Sequence, residues 1–84
     1  MYYVYILHSK KLCKYYVGYT ENPLLRLAYH NSDSNRIWTK RGQPWELIQK
    51  FPFETKIEAL KSEKFIKNQK SSIFIEKIVK QGYL

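Results

Sequence analysis

Apolar and polar positions along this chain change period several times, and each change marks an element. From Tyr2 to Leu7 the period is two, with Tyr3 and Tyr5 on one side and Val4 and Ile6 on the other, which predicts a half-buried strand. HSKKLCK, residues 8–14, is polar and predicts a hairpin loop, so Tyr15–Tyr19 returns as a second, antiparallel strand. A register that pairs Leu7 with Lys14 sets Tyr5 opposite Tyr16 on one face. Asn22, a good N-cap, and Pro23, a good first helical residue, then open a helix that runs to about His30. Its apolar stripe is Leu24, Leu27 and Ala28, and Arg26 and His30, four residues apart, share the face beside it. Residues 31–44 are polar, carry Gly42 and Pro44 and lack periodicity, which predicts a loop of functional length. Trp45–Phe51 alternates again, with Trp45, Leu47 and Phe51 on one face and Gln49 as the weak point, and this third strand ends at Pro52. Thr55 and Glu58 form a capping box that starts a helix at about Lys56. Ser71 or Ser72 starts a last helix with the stripe Phe74, Ile75, Ile78 and Val79, and Gly82 is its stop. The predicted fold is a single α+β domain over residues 1–84, a small three-stranded antiparallel sheet flanked by helices in the order β-β-α-β-α-α.

Composition adds a partner to this outline. Fifteen Lys and Arg against seven Asp and Glu give a net charge of +8, a field suited to a polyanion, and nucleic acid is the leading choice. Most lysines of the helical half, such as Lys61, Lys64, Lys77 and Lys80, read as solvated surface. Hydrophobic residues at 44% are enough to bury a core, which excludes a disordered tail. No stretch is long and apolar enough to span a bilayer, and Met1 leads straight into a strand without a signal peptide, so the expected location is cytoplasmic. Cys13 is the one cysteine; with no Cys or nearby His to build a zinc site it reads as an incidental thiol.

Two stretches carry candidate chemistry. In YYVGYTENPLLRLAYHN an aromatic strand, a glycine that lets a ligand approach the backbone and a helix pointing Arg26 and His30 the same way suggest an anion site, with phosphate the obvious candidate. In the loop, Arg36, Trp38, Lys40 and Arg41 interleave cations with an aromatic, the composition of a surface that follows a phosphate backbone and stacks on an exposed base. Trp38 fits a core position equally well. Glu63 has Ala59 and Leu60 one turn before it and Ile66 one turn after it, a costly place for a carboxylate unless it is paired or holds a metal. A pair with Lys67 at i+4 is the plainer alternative.

These residues also resemble a known family. Tyr16-Val17-Gly18 is similar to the second half of the GIY-YIG nuclease signature, and Tyr3-Val4-Tyr5, eleven residues earlier from tyrosine to tyrosine, to a variant of its first half. Arg26 stands ten residues after Tyr16, where the family has its catalytic arginine, His30-Asn31 matches the family's HN, and Glu63 matches its metal-binding glutamate. The run TKRGQPWEL resembles the corresponding segment of small stand-alone bacterial members and of eukaryotic junction-cutting nucleases. The resemblance implies a metal-dependent endonuclease acting on DNA, with branched or nicked DNA as the expected substrate. Glu63 would hold a single, weakly bound Mg2+ or Mn2+, and Arg26 would neutralise charge at the phosphorus. Tyr5 or Tyr16 would take a proton from water, the residues leaving open which, and His30 would hydrogen-bond a tyrosine or the phosphate, or simply complete the helix end. Three positions depart from the pattern: YVY lacks the first glycine, Tyr19 stands where some relatives have lysine, and Ile75 where several have asparagine. The rival readings are a non-catalytic nucleic-acid-binding module on the same scaffold and, more weakly, a protein-interaction domain.

The charge sets the first prediction. Affinity for DNA should fall steeply with added salt, because each neutralised phosphate releases counterions. Replacing Lys40 and Arg41 by Ala should weaken binding to all sequences alike and flatten the salt slope, as read from binding isotherms at several ionic strengths. Salt-insensitive binding, or none at low ionic strength, would remove nucleic acid as the partner.

Overall fold

The computed structural model describes residues 1–84. Its elements are β1 (Tyr2–Ser9), β2 (Lys14–Thr20), α1 (Pro23–His30), a 3-10 turn (Trp38–Gly42), β3 (Trp45–Phe53), α2 (Lys56–Gln69) and α3 (Ser72–Gln81), in the predicted order. The three strands form one sheet with β1 in the centre, antiparallel to both neighbours. The helix signals act as predicted. Asn22 Oδ1 accepts from Leu25 N, Thr55 and Glu58 form a reciprocal capping box, Ser71 caps α3, and Gly82 ends it with φ 79.

Central position changes the character of β1. Val4, Tyr5, Ile6 and Leu7 are all buried, so the strand is covered on both faces rather than half-buried. On one face Val4, Ile6, Val17 and Phe51 pack against Ala59 and Ile66 of α2 and Ile78 of α3. On the other, Tyr5, Leu7 and Trp45 form a smaller cluster that Tyr16, Leu27 of α1 and Leu47 close. The first hairpin is also tighter than its polarity suggested, since His8, Ser9 and Lys14 pair and only residues 10–13 turn. Ser9 can be fully buried because its hydroxyl donates to Gly42 O at 2.7 Å and accepts from Leu12 N at 3.1 Å.

Register is where pattern and structure part. Leu7 pairs with Tyr16 rather than Lys14, so Gly18 and not Tyr16 lies opposite Tyr5. The shift is two residues, which preserves the face, and Tyr5 and Tyr16 remain diagonal neighbours with ring centroids 6.1 Å apart. In β3, Ile6 pairs with Gln49 but Leu7 with Leu47, so Ile48 is an extra residue. This bulge reverses the alternation: Trp45 faces the Tyr5 cluster, and Phe51, expected beside it, faces Val4 and Ile6. The strand continues through Pro52 to Phe53, because β3 is an edge strand and proline's missing N–H costs no ladder bond there. In α1 the inward positions are Pro23, Leu27 and His30, while Leu24, Leu25 and Ala28 are exposed; an inward face built on a proline and a histidine does not show as an apolar stripe.

Gly18 has a steric duty. A Cβ there would stand 2.6 Å from the Tyr5 hydroxyl and 2.7 Å from its Cζ, so the glycine admits the Tyr5 ring, not the ligand its position suggested. Because Tyr5 is 1% exposed, the ring cannot swing aside. Gly18→Ala should therefore destabilise the domain by about 1–3 kcal/mol, measured by urea unfolding, and a neutral result would show that the ring does not need this space.

Candidate functional site

The chain of contacts behind Tyr5 begins at α1 and ends in the loop. His30, the last residue of α1, is fully buried with Nε2 3.1 Å from the Tyr5 hydroxyl and Nδ1 2.9 Å from Thr39 Oγ1. Asn35, also buried, donates through Nδ2 to Thr39 Oγ1 and to His30 O, and its Oδ1 accepts from Ile37 N. Trp45 Nε1 donates to Thr39 O at 2.6 Å, and Asn31 bonds both backbone groups of Trp45. Gln43 Nε2 donates to His30 O and Ser32 O. The 31–44 segment, non-periodic in sequence, is thus tied down through backbone and side-chain polar groups. No buried side-chain nitrogen or oxygen lacks a partner.

Around this support the predicted residues gather on two tyrosines. Tyr16 is part-exposed, its ring 4.7 Å from the His30 ring and 6.0 Å from that of Trp38. Burial pushes the Tyr5 phenol up to about 12 against the pull of the neighbouring Arg26 guanidinium, and Glu63 adds to the rise. Tyr16 is raised by burial too, again with Arg26 pulling it down and Glu63 pushing it up. Arg26 and Glu63 therefore act on the same pair of hydroxyls from opposite sides of the charge balance. Arg26 stacks over the Tyr29 ring at 4.9 Å and has no ion pair with any carboxylate. The Glu63 side chain is 14% exposed and pairs with Lys67 at 3.7 Å, so the plainer expectation for it is met as well. His30 reaches the tyrosine and, being enclosed, does not face a phosphate.

The loop cations lie outside this cluster's hydrogen bonds. Arg36, Lys40 and Arg41 are exposed, with Lys40 Nζ donating to Asp33 O at 3.1 Å. Trp38 is neither core nor free: 42% exposed, it stands edge-on to Trp45 and beside Tyr16. No three His, Cys, Asp or Glu side chains converge, which leaves Glu63 as the single acidic group near the tyrosines. No periodicity in the sequence marks Asn35 or Thr39, whereas Lys67 is visible there as the i+4 partner of Glu63.

The profile of the GIY-YIG catalytic domain matches residues 1–78, nearly the whole chain. The chain belongs to the GIY-YIG family. Among its relatives, the UPF0213 protein of Streptococcus pneumoniae serotype 4 is 37% identical over 68 residues, covering 81% of this chain and 68% of the relative. UPF0213 protein YsiG of Lactococcus lactis is 31% identical over 88 aligned positions, covering 99% of this chain and 84% of the relative. The structure-specific endonuclease subunit SLX1 of Phaeosphaeria nodorum is 35% identical over 85 positions, 93% of this chain but 23% of that much longer protein. No solved structure is a significant match. The β-β-α-β-α-α sheet-and-helix arrangement is that of a GIY-YIG nuclease domain. None of its helices is long and apolar enough to cross a membrane.

Within this GIY-YIG domain His30 gives stability a pH dependence. Burial, reinforced by the Arg26 charge, lowers its pKa to about 4, whereas an unfolded histidine titrates near 6.5. Between these values the unfolded chain binds the extra proton, so the contribution is complete above about pH 6.5 and is lost as pH falls toward 4. Stability should drop over that window by up to about 1.4 kcal/mol per pH unit, measured by urea unfolding at several pH values. His30→Gln should flatten the slope; an unchanged slope would mean that His30 is not held neutral.

Proposed function

We propose that the chain is a divalent-metal-dependent endonuclease that hydrolyses DNA phosphodiesters, with branched or nicked DNA as its substrate. The observation that carries this reading is the Tyr5 and Tyr16 pair, ring centroids 6.1 Å apart, with an unpaired guanidinium, Arg26, and a largely enclosed carboxylate, Glu63, near enough to act on both phenols. Arg26 has no carboxylate partner, and a phosphate would supply its counter-charge. The name of the SLX1 relative, a structure-specific endonuclease subunit, supports the choice of a branched or nicked substrate.

Attack on a phosphodiester builds negative charge on an already anionic centre, so the site must place a countercharge, position a water and relieve the leaving oxygen. Arg26 supplies the countercharge on the non-bridging oxygens. Tyr16, the tyrosine that reaches solvent, positions the attacking water and takes its proton when it is a phenolate, the form that the Arg26 charge favours against burial, while Tyr5, 1% exposed and bonded to neutral His30, fixes the geometry beside it. Glu63 fits a hard cation such as Mg2+ or Mn2+: an oxygen donor of full charge, alone, leaving the remaining positions to water and substrate phosphate. Such an ion, when bound, supplies Lewis-acid charge at the phosphoryl and leaving oxygens. Lys67, half-exposed on a flexible stem, is the present partner of Glu63 and can turn to solvent.

Cleavage of labelled linear, nicked, flapped and four-way DNA across a magnesium and manganese titration tests this. The parent should cut only with metal, and Glu63→Gln should not cut while still binding DNA. Arg26→Ala should lose cleavage and some affinity. Tyr16→Phe should lose roughly 100-fold to 10,000-fold in rate, and Tyr5→Phe less. Metal-dependent cutting by Glu63→Gln at the parental rate would overturn the mechanism, and tight binding without cutting by the parent would make the chain a non-catalytic basic module.

A further inference from the structure

A slot of about 290 Å³ opens directly beside Tyr16, between β2 and the α2–α3 turn, with Tyr15, Trp38, Ile75 and Lys67 among its walls. A second depression of about 400 Å³ continues it toward Lys14, sharing Tyr15, Trp38, Lys70, Ser71 and Ile75 with the first. The two form one groove that starts at the nuclease site and leads away from it. Its surfaces combine three aromatic rings, the aliphatic side chains of Val17, Ile66 and Ile75, and three lysines (Lys14, Lys67 and Lys70), with no acidic residue lining either part. Glu63 touches only the Lys67 end, and exposed Glu76 accepts from the Tyr15 hydroxyl at 3.3 Å, which orients that ring.

We propose that this groove is a binding subsite for unpaired nucleotides next to the scissile phosphate, with bases stacked on Trp38 and Tyr15 over Ile75 and the sugar-phosphate strand along Lys67, Lys70 and Lys14. It deepens the nuclease reading and rests on it for the position of the scissile phosphate. Aromatic faces beside a line of cations are what a single strand needs, since every base has a stacking face and every linkage a charge. A paired duplex keeps its bases stacked on one another and cannot offer them to a slot of this size. Ile75, an apolar side chain in the wall of both depressions, suits the flat face of a base better than its polar edge. The groove thus gives a physical reason for preferring branched or flapped DNA over intact duplex: the strand that leaves the helix has somewhere to go.

The experiment compares three DNAs in chelator, where nothing is cut: a blunt duplex, the same duplex with a three-nucleotide flap containing 2-aminopurine, and one with an abasic flap of equal phosphate count. The base-bearing flap should bind about fivefold to a hundredfold more tightly than the abasic one, with a change in 2-aminopurine fluorescence on binding. Ile75→Glu and Trp38→Leu should abolish that difference. Lys70→Gly should weaken both flaps equally; folding is safe there, because Lys70 has φ 48, a conformation glycine favours. Trp38 is on the surface, so its variant decides the matter if Ile75→Glu fails to fold. Equal affinity for base-bearing and abasic flaps, or a preference that survives both base-site variants, would overturn the subsite. Failure of cleavage with this binding pattern intact would count against the nuclease reading alone, and cleavage without flap preference against the subsite alone.

Discussion

The hydrogen bond between Tyr5 and His30 is the constraint on which the rest of the domain depends. It spans 25 residues, joins the central strand to the end of α1 and is made by two fully enclosed side chains. An enclosed polar pair of this kind tolerates no vacancy, because each unsatisfied group keeps its whole desolvation cost. Thr39 and Asn35 are accordingly drawn in to complete the histidine, Trp45 is bonded to the Thr39 carbonyl, and the loop that supplies them acquires a defined path. On the other side of the bond the Tyr5 ring must lie flat across the neighbouring strand, which Gly18 alone among residues permits.

This rigid support explains how a small domain can present a charged site. Two phenols with raised pKa, one of them part-exposed, lie near an arginine, Arg26, without a carboxylate partner and a carboxylate, Glu63, paired with the half-exposed Lys67.

The polarity of the two sheet faces divides the labour. The face under α2 and α3 is an ordinary apolar core of Val4, Ile6, Val17, Phe51, Ala59, Ile66 and Ile78. The face under α1 carries few aliphatics and many rings and polar groups, and it is there that Tyr5 and Tyr16 stand. The bulge at Ile48 serves both, turning Trp45 toward the tyrosines and Phe51 toward the helices within one strand. The apolar core and the tyrosine cluster thereby lie on opposite sides of the same three strands.

What local sequence determines here is what local physics controls. The caps at Asn22, Thr55, Ser71 and Gly82 and the order of elements depend on residues within a turn or two of one another, and these were legible in the chain. The tyrosines, Arg26, His30 and Glu63 were legible as candidates through motif and spacing. Tertiary structure alone decided the rest, because it depends on partners far along the chain. The hairpin register slid by two residues to put Gly18 under Tyr5, and the β3 bulge reversed one face. In α1 the inward face became Pro23, Leu27 and His30 instead of the leucine-rich side, because the nearest surface offered His30 a hydroxyl, and a satisfied polar group can be buried where a pattern of hydrophobicity cannot foresee it.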